Sequence, residues 1–279
     1  MKNTIKKIVF IISTVILSIA LTGCSTKTPS SQEAIDKYTE ALKSIKSETY
    51  NSDVTVKDTL RNKENTYKFN INGTVVDNPL AMNVNIKIDE RTLSLFMKDS
   101  NSLYVKQNSL NWRKFKSSSD TLERFDSANK ISRDKENIDF LKSNANDFKV
   151  EQQGDNYVLT YSGSDAKYKD FLISSFIGFG EMSEFKRYDL KNITIKQTVK
   201  KSSFEPVELN ITSELTYKYD SSVKSYIEIN KKIISVIPDS EVEIVLKNLS
   251  KANFKFQSLK DFNITAKRLL KIADYKLYE

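Results

Sequence analysis

From Leu80 to Ile88 the chain alternates with almost no break. Leu80, Met82, Val84, Ile86 and Ile88 share one parity, and Asn83, Asn85 and Lys87 stand between them. Side chains of a strand point to opposite faces in turn, so a period of two dictates an extended segment with one face buried. The same rhythm precedes it, in Tyr50, Val54 and Val56 and again in Tyr67, Phe69, Ile71 and Val75. Clusters of turn-forming residues, Asp58 to Asn65 and Asp77-Asn78-Pro79, divide the runs. The pattern predicts a meander of long antiparallel strands with one buried face.

The rest of the chain extends this plan. A helix is expected from residue 33, started by Ser31 or Gln32, with Ile35, Tyr38, Leu42 and Ile45 on one face and its end near Ser47. Short strands are expected at 92–98, 102–107 and 110–116, the last carrying Trp112. Residues 119–146 read as an interrupted, charged helix with Ile138 and Leu141 among its apolar positions. Strands at 148–153 and 156–162 flank Gly154-Asp155, a hairpin signal. A helix over 165–177 presents Tyr168, Phe171, Leu172 and Phe176 and stops at Gly178 and Gly180. Three further strands follow, marked by Ile193, Ile195 and Val199, by Val207 to Tyr217, and by Val223, Ile227 and Ile229; Pro238 closes them. The fold class is therefore α+β, a long curved antiparallel sheet with helices packed on one face. Residues 239–251 and 259–278 also carry helical patterning.

The N-terminus reads as an address. Lys2, Lys6 and Lys7 precede an apolar run from Ile8 to Leu21, the layout of a signal peptide. As a helix that run rises only about 21 Å against roughly 30 Å of hydrocarbon, which disfavours a spanning anchor. Leu21-Thr22-Gly23-Cys24 resembles the bacterial lipobox, in which the cysteine is acylated and becomes the new N-terminus. Two acyl chains, at about 0.8 kcal/mol per buried CH₂, hold a protein on a membrane far more firmly than one. Ser25 to Gln32 is polar and aperiodic, a tether with a root-mean-square reach of roughly 16 Å. The expected organisation is a signal peptide over 1–23, the lipidated Cys24 and tether over 24–32, a folded domain over 33–250 and a helical C-terminal extension over 251–279.

Composition narrows the chemistry. The chain has no histidine and one cysteine, which removes Ser-His-Asp and Cys-His nucleophile systems, imidazole metal ligation and any internal disulfide. No phosphate-cradling glycine loop, dinucleotide fingerprint or EF-hand loop occurs. Ser127 to Lys130, Ser132 to Lys135 and Ser164 to Lys167 all fit S-x-x-K, but no K-T-G accompanies them. Carboxylates at Asp239, Glu241 and Glu243 are close in sequence, with nothing to set them across a cleft. No enzyme activity, cofactor or metal is expected. The formal charge of +8 falls to +5 if Lys2, Lys6 and Lys7 leave with the signal peptide. The 37 lysines are scattered among acids and arginines number 7, a pattern of solvated surface more than of nucleic-acid recognition.

Several stretches resemble the LolA/LppX-like lipoproteins of Gram-positive bacteria. The lipobox is followed by a helix ending Ala41-Leu42-Lys43-Ser44-Ile45-Lys46-Ser47 that leads into Tyr50. Ser102-Leu103-Tyr104-Val105 followed by Leu110-Asn111-Trp112-Arg113-Lys114-Phe115 is similar to that group's tryptophan-bearing hairpin. Phe204-Glu205-Pro206-Val207 and Ile237-Pro238-Asp239 resemble its entry to the last long strands and its closing turn. The resemblance covers roughly residues 33–245. It implies an incomplete β-barrel closed by helices around an apolar hollow that receives a lipid or a lipoprotein acyl chain.

On that reading Phe69, Ile71, Met82, Val84, Ile86 and Val105 are the candidate cavity wall, and Trp112 lies at its rim or in the core. Phe171, Phe176 and Phe179, beside Gly178 and Gly180, are a candidate lid. The same residues also suit a packed sheet with no hollow, and both readings stand. A third reading is a surface module that binds a protein or an anionic cell-wall polymer through its exterior. The membrane, reached through Cys24, is the expected partner; oligomeric state has no signature in the chain.

Overall fold

The computed structural model describes residues 28–60, 63–77, 80–97, 102–116, 135–176, 187–237 and 242–243. Its elements are α1 (Ser31–Ser44), β1 (Ser47–Leu60), β2 (Lys63–Asp77), β3 (Leu80–Ile88), β4 (Arg91–Met97), β5 (Ser102–Gln107), β6 (Arg113–Lys116), α2 (Lys135–Ser143), a 3-10 turn (Ala145–Asp147), β7 (Lys149–Gln153), β8 (Asn156–Gly163), α3 (Lys167–Phe176), β9 (Tyr188–Lys200), β10 (Pro206–Tyr217) and β11 (Lys224–Val236). The order of helices and strands is the one that the hydrophobic periods predict.

All eleven strands form one antiparallel sheet in the order β6-β5-β4-β3-β2-β1-β11-β10-β9-β8-β7. It does not close; β6 and β7 are its edges. Two meanders, β1–β6 and β7–β11, join where the first strand pairs with the last, from Glu48↔Val236 to Thr59↔Lys224. The register shifts by one between Thr49 and Tyr50, which leaves Ile234 as an extra residue, 57% exposed. That bulge moves β11 from odd to even parity, so Ile227 and Ile229 and then Val236 all reach the face that carries the helices. This face is called the inner face below.

Two strands differ from the sequence expectation. The polar run from Asp58 to Asn65, expected as a turn, continues the ladder through Asp58↔Asn65, Thr59↔Glu64 and Leu60↔Lys63. Pairing along a long hairpin outweighs the weak strand propensity of charged residues when their side chains reach water. β6 is shorter than expected because Asn108 has a positive φ of 51° and the Leu110 amide donates to the Gln107 carbonyl, which makes residues 107–110 a turn.

Helix α1 is capped by Ser30, whose Oγ accepts from the Glu33 amide at 3.2 Å. Its buried face, Ala34, Ile35, Tyr38 and Leu42, packs on the inner face together with Leu141 of α2 and Tyr168 and Leu172 of α3. Aromatic rings bind these helices to the sheet. Tyr168 stacks on Tyr161 at 3.6 Å between centroids, and Phe140 meets Tyr168 edge-on at 5.1 Å and Phe171 in a stack at 5.6 Å.

Gly73 sits on the inner face between Tyr50 of β1 and Val84 of β3. A Cβ there would lie 2.8 Å from Val84 Cγ2 and 2.9 Å from the Asn83 carbonyl oxygen, and backbone cannot swing away. Gly73→Ala is expected to destabilise by about 1–3 kcal/mol through overpacking; urea denaturation of the two proteins checks this.

Candidate functional site

The inner face separates into two apolar clusters. The first joins α1, α2, the 3-10 turn and α3 to β1 and β8–β11. The second consists of Ile71 and Val75 from β2, Met82, Val84 and Ile86 from β3, Leu95 and Met97 from β4, and Leu103 and Val105 from β5. These nine residues are 0–8% exposed, and every one comes from a strand.

Between α1, α2, α3 and the sheet lies a void of about 30 Å³, lined by Tyr38, Leu141, Phe171, Ile195, Gln197 and Leu209 among others. That is the share of a single water in the liquid, far below the several hundred Å³ that a drug-sized ligand needs. The polar atoms at its wall are satisfied. Tyr38 Oη donates to Gln197 Oε1 at 2.8 Å, and Gln197 Nε2 donates to the carbonyls of Thr198 and Glu208 at 2.9 and 3.1 Å. Burial, and secondarily the Glu48 carboxylate, push the Tyr38 phenol far above its ordinary range, so it stays neutral and keeps its proton to donate.

Between the clusters runs a charged seam. Glu48 is 6% exposed, and its carboxylate accepts from Lys231 Nζ at 2.7 Å. The same ammonium lies 4.7 Å from the centroid of the Tyr50 ring, which packs against the second cluster. Burial, then Glu48, push the Tyr50 phenol up as well. Both charged residues occupy inner-face parity: Glu48 is in phase with Tyr50, Val54 and Val56, and Lys231 with Ile227 and Ile229. A lysine interrupting an apolar parity is the sequence signal that could have found this seam, although a charged residue among so many others does not stand out by type.

The predicted site residues are distributed as follows. Ile71, Met82, Val84, Ile86 and Val105 come together in the second cluster. Phe69 and Phe171 pack against the first, Phe171 stacked on Phe140. Trp112 is half-buried immediately before β6 and belongs to neither cluster. Phe176 ends α3, while Phe179, Gly178, Gly180 and Cys24 lie outside the described residues. So do Ser127, Ser132, Lys130, Asp239 and Glu241. Ser164 and Lys167 are described. Lys167 Nζ donates to Asp147 Oδ2 at 2.6 Å and lies 3.5 Å from Asp165, and the hydrogen bond to Asp147 raises its pKa. An ammonium held this way is the reverse of the neutral amine that a Ser-Lys nucleophile needs.

Two predictions follow from these contacts. Glu48→Gln strands Lys231 on an apolar face and should cost about 3 kcal/mol, the low end of the range for a broken buried pair because the lysine is partly exposed. Glu48→Leu combined with Lys231→Met should recover most of that loss, as measured by chemical denaturation of the single and double variants. Asp147 is held below the ordinary carboxylate range, first by the hydrogen bond from Lys167, with that from Tyr168 adding to it. Its contribution is therefore present above the unfolded pKa and disappears as pH falls through the lower folded one. Asp147→Asn should lower stability at neutral pH by under about 1 kcal/mol, because the pair is exposed, and flatten the acid limb of a Tm-against-pH curve.

The family of unknown function DUF6612 matches residues 30–266 of the chain. No curated protein matches it. Among solved structures, LprF from Mycobacterium bovis is similar at 12% identity, with 72% of this chain and 93% of that one covered and a TM-score of 0.36. The lipoprotein LppX from Mycobacterium tuberculosis is similar at 12% identity, covering 74% and 97%, with a TM-score of 0.37. A LolA superfamily protein from Nitrosomonas europaea is similar at 14% identity, covering 76% and 97%, with a TM-score of 0.25. These are proteins of the group whose outline the sequence resembles. The superpositions are loose, and the functional reading below rests on this chain's own sheet and helices.

Proposed function

The chain belongs to the DUF6612 family, and from that premise we propose that it is a membrane-anchored extracytoplasmic lipoprotein that binds an apolar ligand, a lipid or a lipoprotein acyl chain, without catalysing a reaction. Acylation of Cys24 supplies the anchor, and no cofactor takes part.

The observation that carries this reading is the second cluster. Nine apolar side chains lie together on the inner face of β2–β5, and among the described residues no helix residue belongs to the cluster, whereas the other half of the face is filled by three helices. The face suits a chain of methylenes: it has no polar side chain in the cluster, and Met82 and Met97 stand opposite one another in register. Methionine is unbranched and polarisable, so such a pair can repack around ligands of different length. The Glu48–Lys231 seam borders this face and offers the polar end that an amphiphile needs. Because the nine residues are buried, binding requires that this half of the inner face open; the helix half, with a void of about 30 Å³, offers no comparable room.

A fluorescent fatty acid should bind saturably and be displaced by an unlabelled one. Met97→Trp, which fills the β2–β5 face, should weaken binding about tenfold, on the scale of 1–3 kcal/mol for an overpacked apolar site. Leu209→Phe, which fills the helix-side void, should leave it unchanged. Fluorescence titration checks both, with thermal melts to establish folding. Absence of saturable binding, or equal effects of the two substitutions, would overturn the reading.

A further inference from the structure

The outer face of the sheet carries a pattern that lipid binding does not use. Lys68 on β2, Lys87 on β3, Lys106 on β5 and Lys114 on β6 all stand on the parity opposite to the second cluster. Lys68, Lys87 and Lys106 follow a diagonal across β2–β5, three strand spacings or about 14 Å across the sheet; Lys114 lies opposite Tyr104, at the end of this face where Val76, Ala81, Phe96 and Tyr104 are buried. Among the described residues, no carboxylate lies within ion-pair distance of Lys68, Lys87 or Lys106. Lys114 Nζ sits 5.7 Å over the Tyr104 ring. Outer-face acids of β1 and β2 are Asp53, which accepts from Asn70, and Glu64 at the hairpin end.

Beside the lysines runs a chain of hydrogen bonds with a single direction. Ser94 Oγ donates to Asn85 Oδ1 at 2.7 Å, Asn85 Nδ2 to Asn72 Oδ1 at 3.4 Å, Asn72 Nδ2 to Asn70 Oδ1 at 3.5 Å, and Asn70 Nδ2 to Asp53 Oδ1 at 2.7 Å. Each of these asparagines spends one of its two amide protons on its neighbour and keeps the other for a ligand oxygen. Three ammonium groups, those of Lys68, Lys87 and Lys106, and a row of spare amide donors are complementary to a chain that repeats negative charge and hydroxyl or ester oxygens.

We infer that the outer face of β2–β5, at the end that carries Lys68, Lys87, Lys106 and the asparagine row, docks an anionic, hydroxyl-bearing polymer of the cell envelope, of the polyol phosphate type. Lysines are point charges that tolerate the varied geometry of successive phosphates, which suits a flexible polymer better than one fixed phosphate. Position distinguishes the polymer from the membrane surface. Ser31, at the start of α1, donates to the Phe148 carbonyl beside β7, six strand spacings or roughly 29 Å from β2 and on the inner face. With Ser31 and Gln32 inside α1, a tether of the six residues 25–30, reaching roughly 13 Å, therefore holds that corner at the bilayer and turns the lysine diagonal outward. This orientation rests on the Cys24 anchor proposed above; polymer binding itself does not.

The test uses the full-length protein in detergent with two probes, soluble poly(glycerol phosphate) and phosphatidylglycerol vesicles. The polymer should bind and should weaken as salt rises. Lys68→Ser, Lys87→Ser and Lys106→Ser together should weaken polymer binding about tenfold or more, taking each lysine as a factor of a few. A charge-matched control, Lys149→Ser, Lys191→Ser and Lys196→Ser together on the β7–β9 side, should change it less than about threefold. Both variants should keep the melting temperature and fatty-acid binding of the parent, which separates failure here from failure of the lipid reading. No polymer binding, equal effects of the two triple variants, or loss confined to vesicle binding would overturn the inference.

Discussion

The pairing of β1 with β11 is the interaction on which the rest of the molecule depends. Each meander is a local object, built from hairpins between consecutive strands. Only the ladder from Glu48↔Val236 to Thr59↔Lys224 makes them one sheet. It joins residues nearly two hundred positions apart, so its loop-closure entropy is paid late in folding and must be recovered by the side chains on either side. On the inner face these are Val54 against Ile229 and Val56 against Ile227, all buried. The bulge at Ile234 keeps the pairing compatible with burial up to Val236.

The same seam explains why the inner face has two characters. To one side, α1, α2 and α3 supply Ile35, Leu42, Leu141, Tyr168 and Leu172, and the space above β8–β11 is occupied. To the other, β2–β5 present a cluster that, among the described residues, is made of strand residues alone. Glu48 and Lys231 mark the border. An ion pair there is a poor source of stability, because desolvation offsets most of its attraction, but a slip of either strand by one would turn one charge to the outer face and leave the other unpaired on the inner face. In the proposed function, shape and surface divide the work: the apolar inner half takes a lipid chain, and the outer-face lysines and amides take the polymer.

Much of this was legible in the sequence because period two is a direct consequence of strand geometry. The runs through Met82, Val84 and Ile86 and through Ile193, Ile195 and Val199 read as strands and are strands with those residues buried. Strand order within each meander followed from short connections, except between β8 and β9, where 24 residues that include α3 intervene. The β1–β11 pairing did not, since no local signal links Val54 to Ile229. Phe69 shows the limit for the site: it shares a parity with Ile71, yet the border between the clusters passes between them. Which residues share a face is written in the alternation; where along that face the helices stop is decided by tertiary packing. The turn at Asp58 to Asn65 was over-read, because polar residues at the tip of a long hairpin keep the ladder when their side chains are solvated.

The central claim is that the β2–β5 half of the inner face, and not the helix-filled half, receives the apolar ligand. Photo-crosslinking of a diazirine-bearing fatty acid to the full-length protein, mapped by peptide mass spectrometry, tests it most directly. The account predicts adducts on peptides containing Met82, Met97 or Val105. Adducts concentrated on peptides containing Phe171 or Leu209, or no saturable labelling at all, would contradict it.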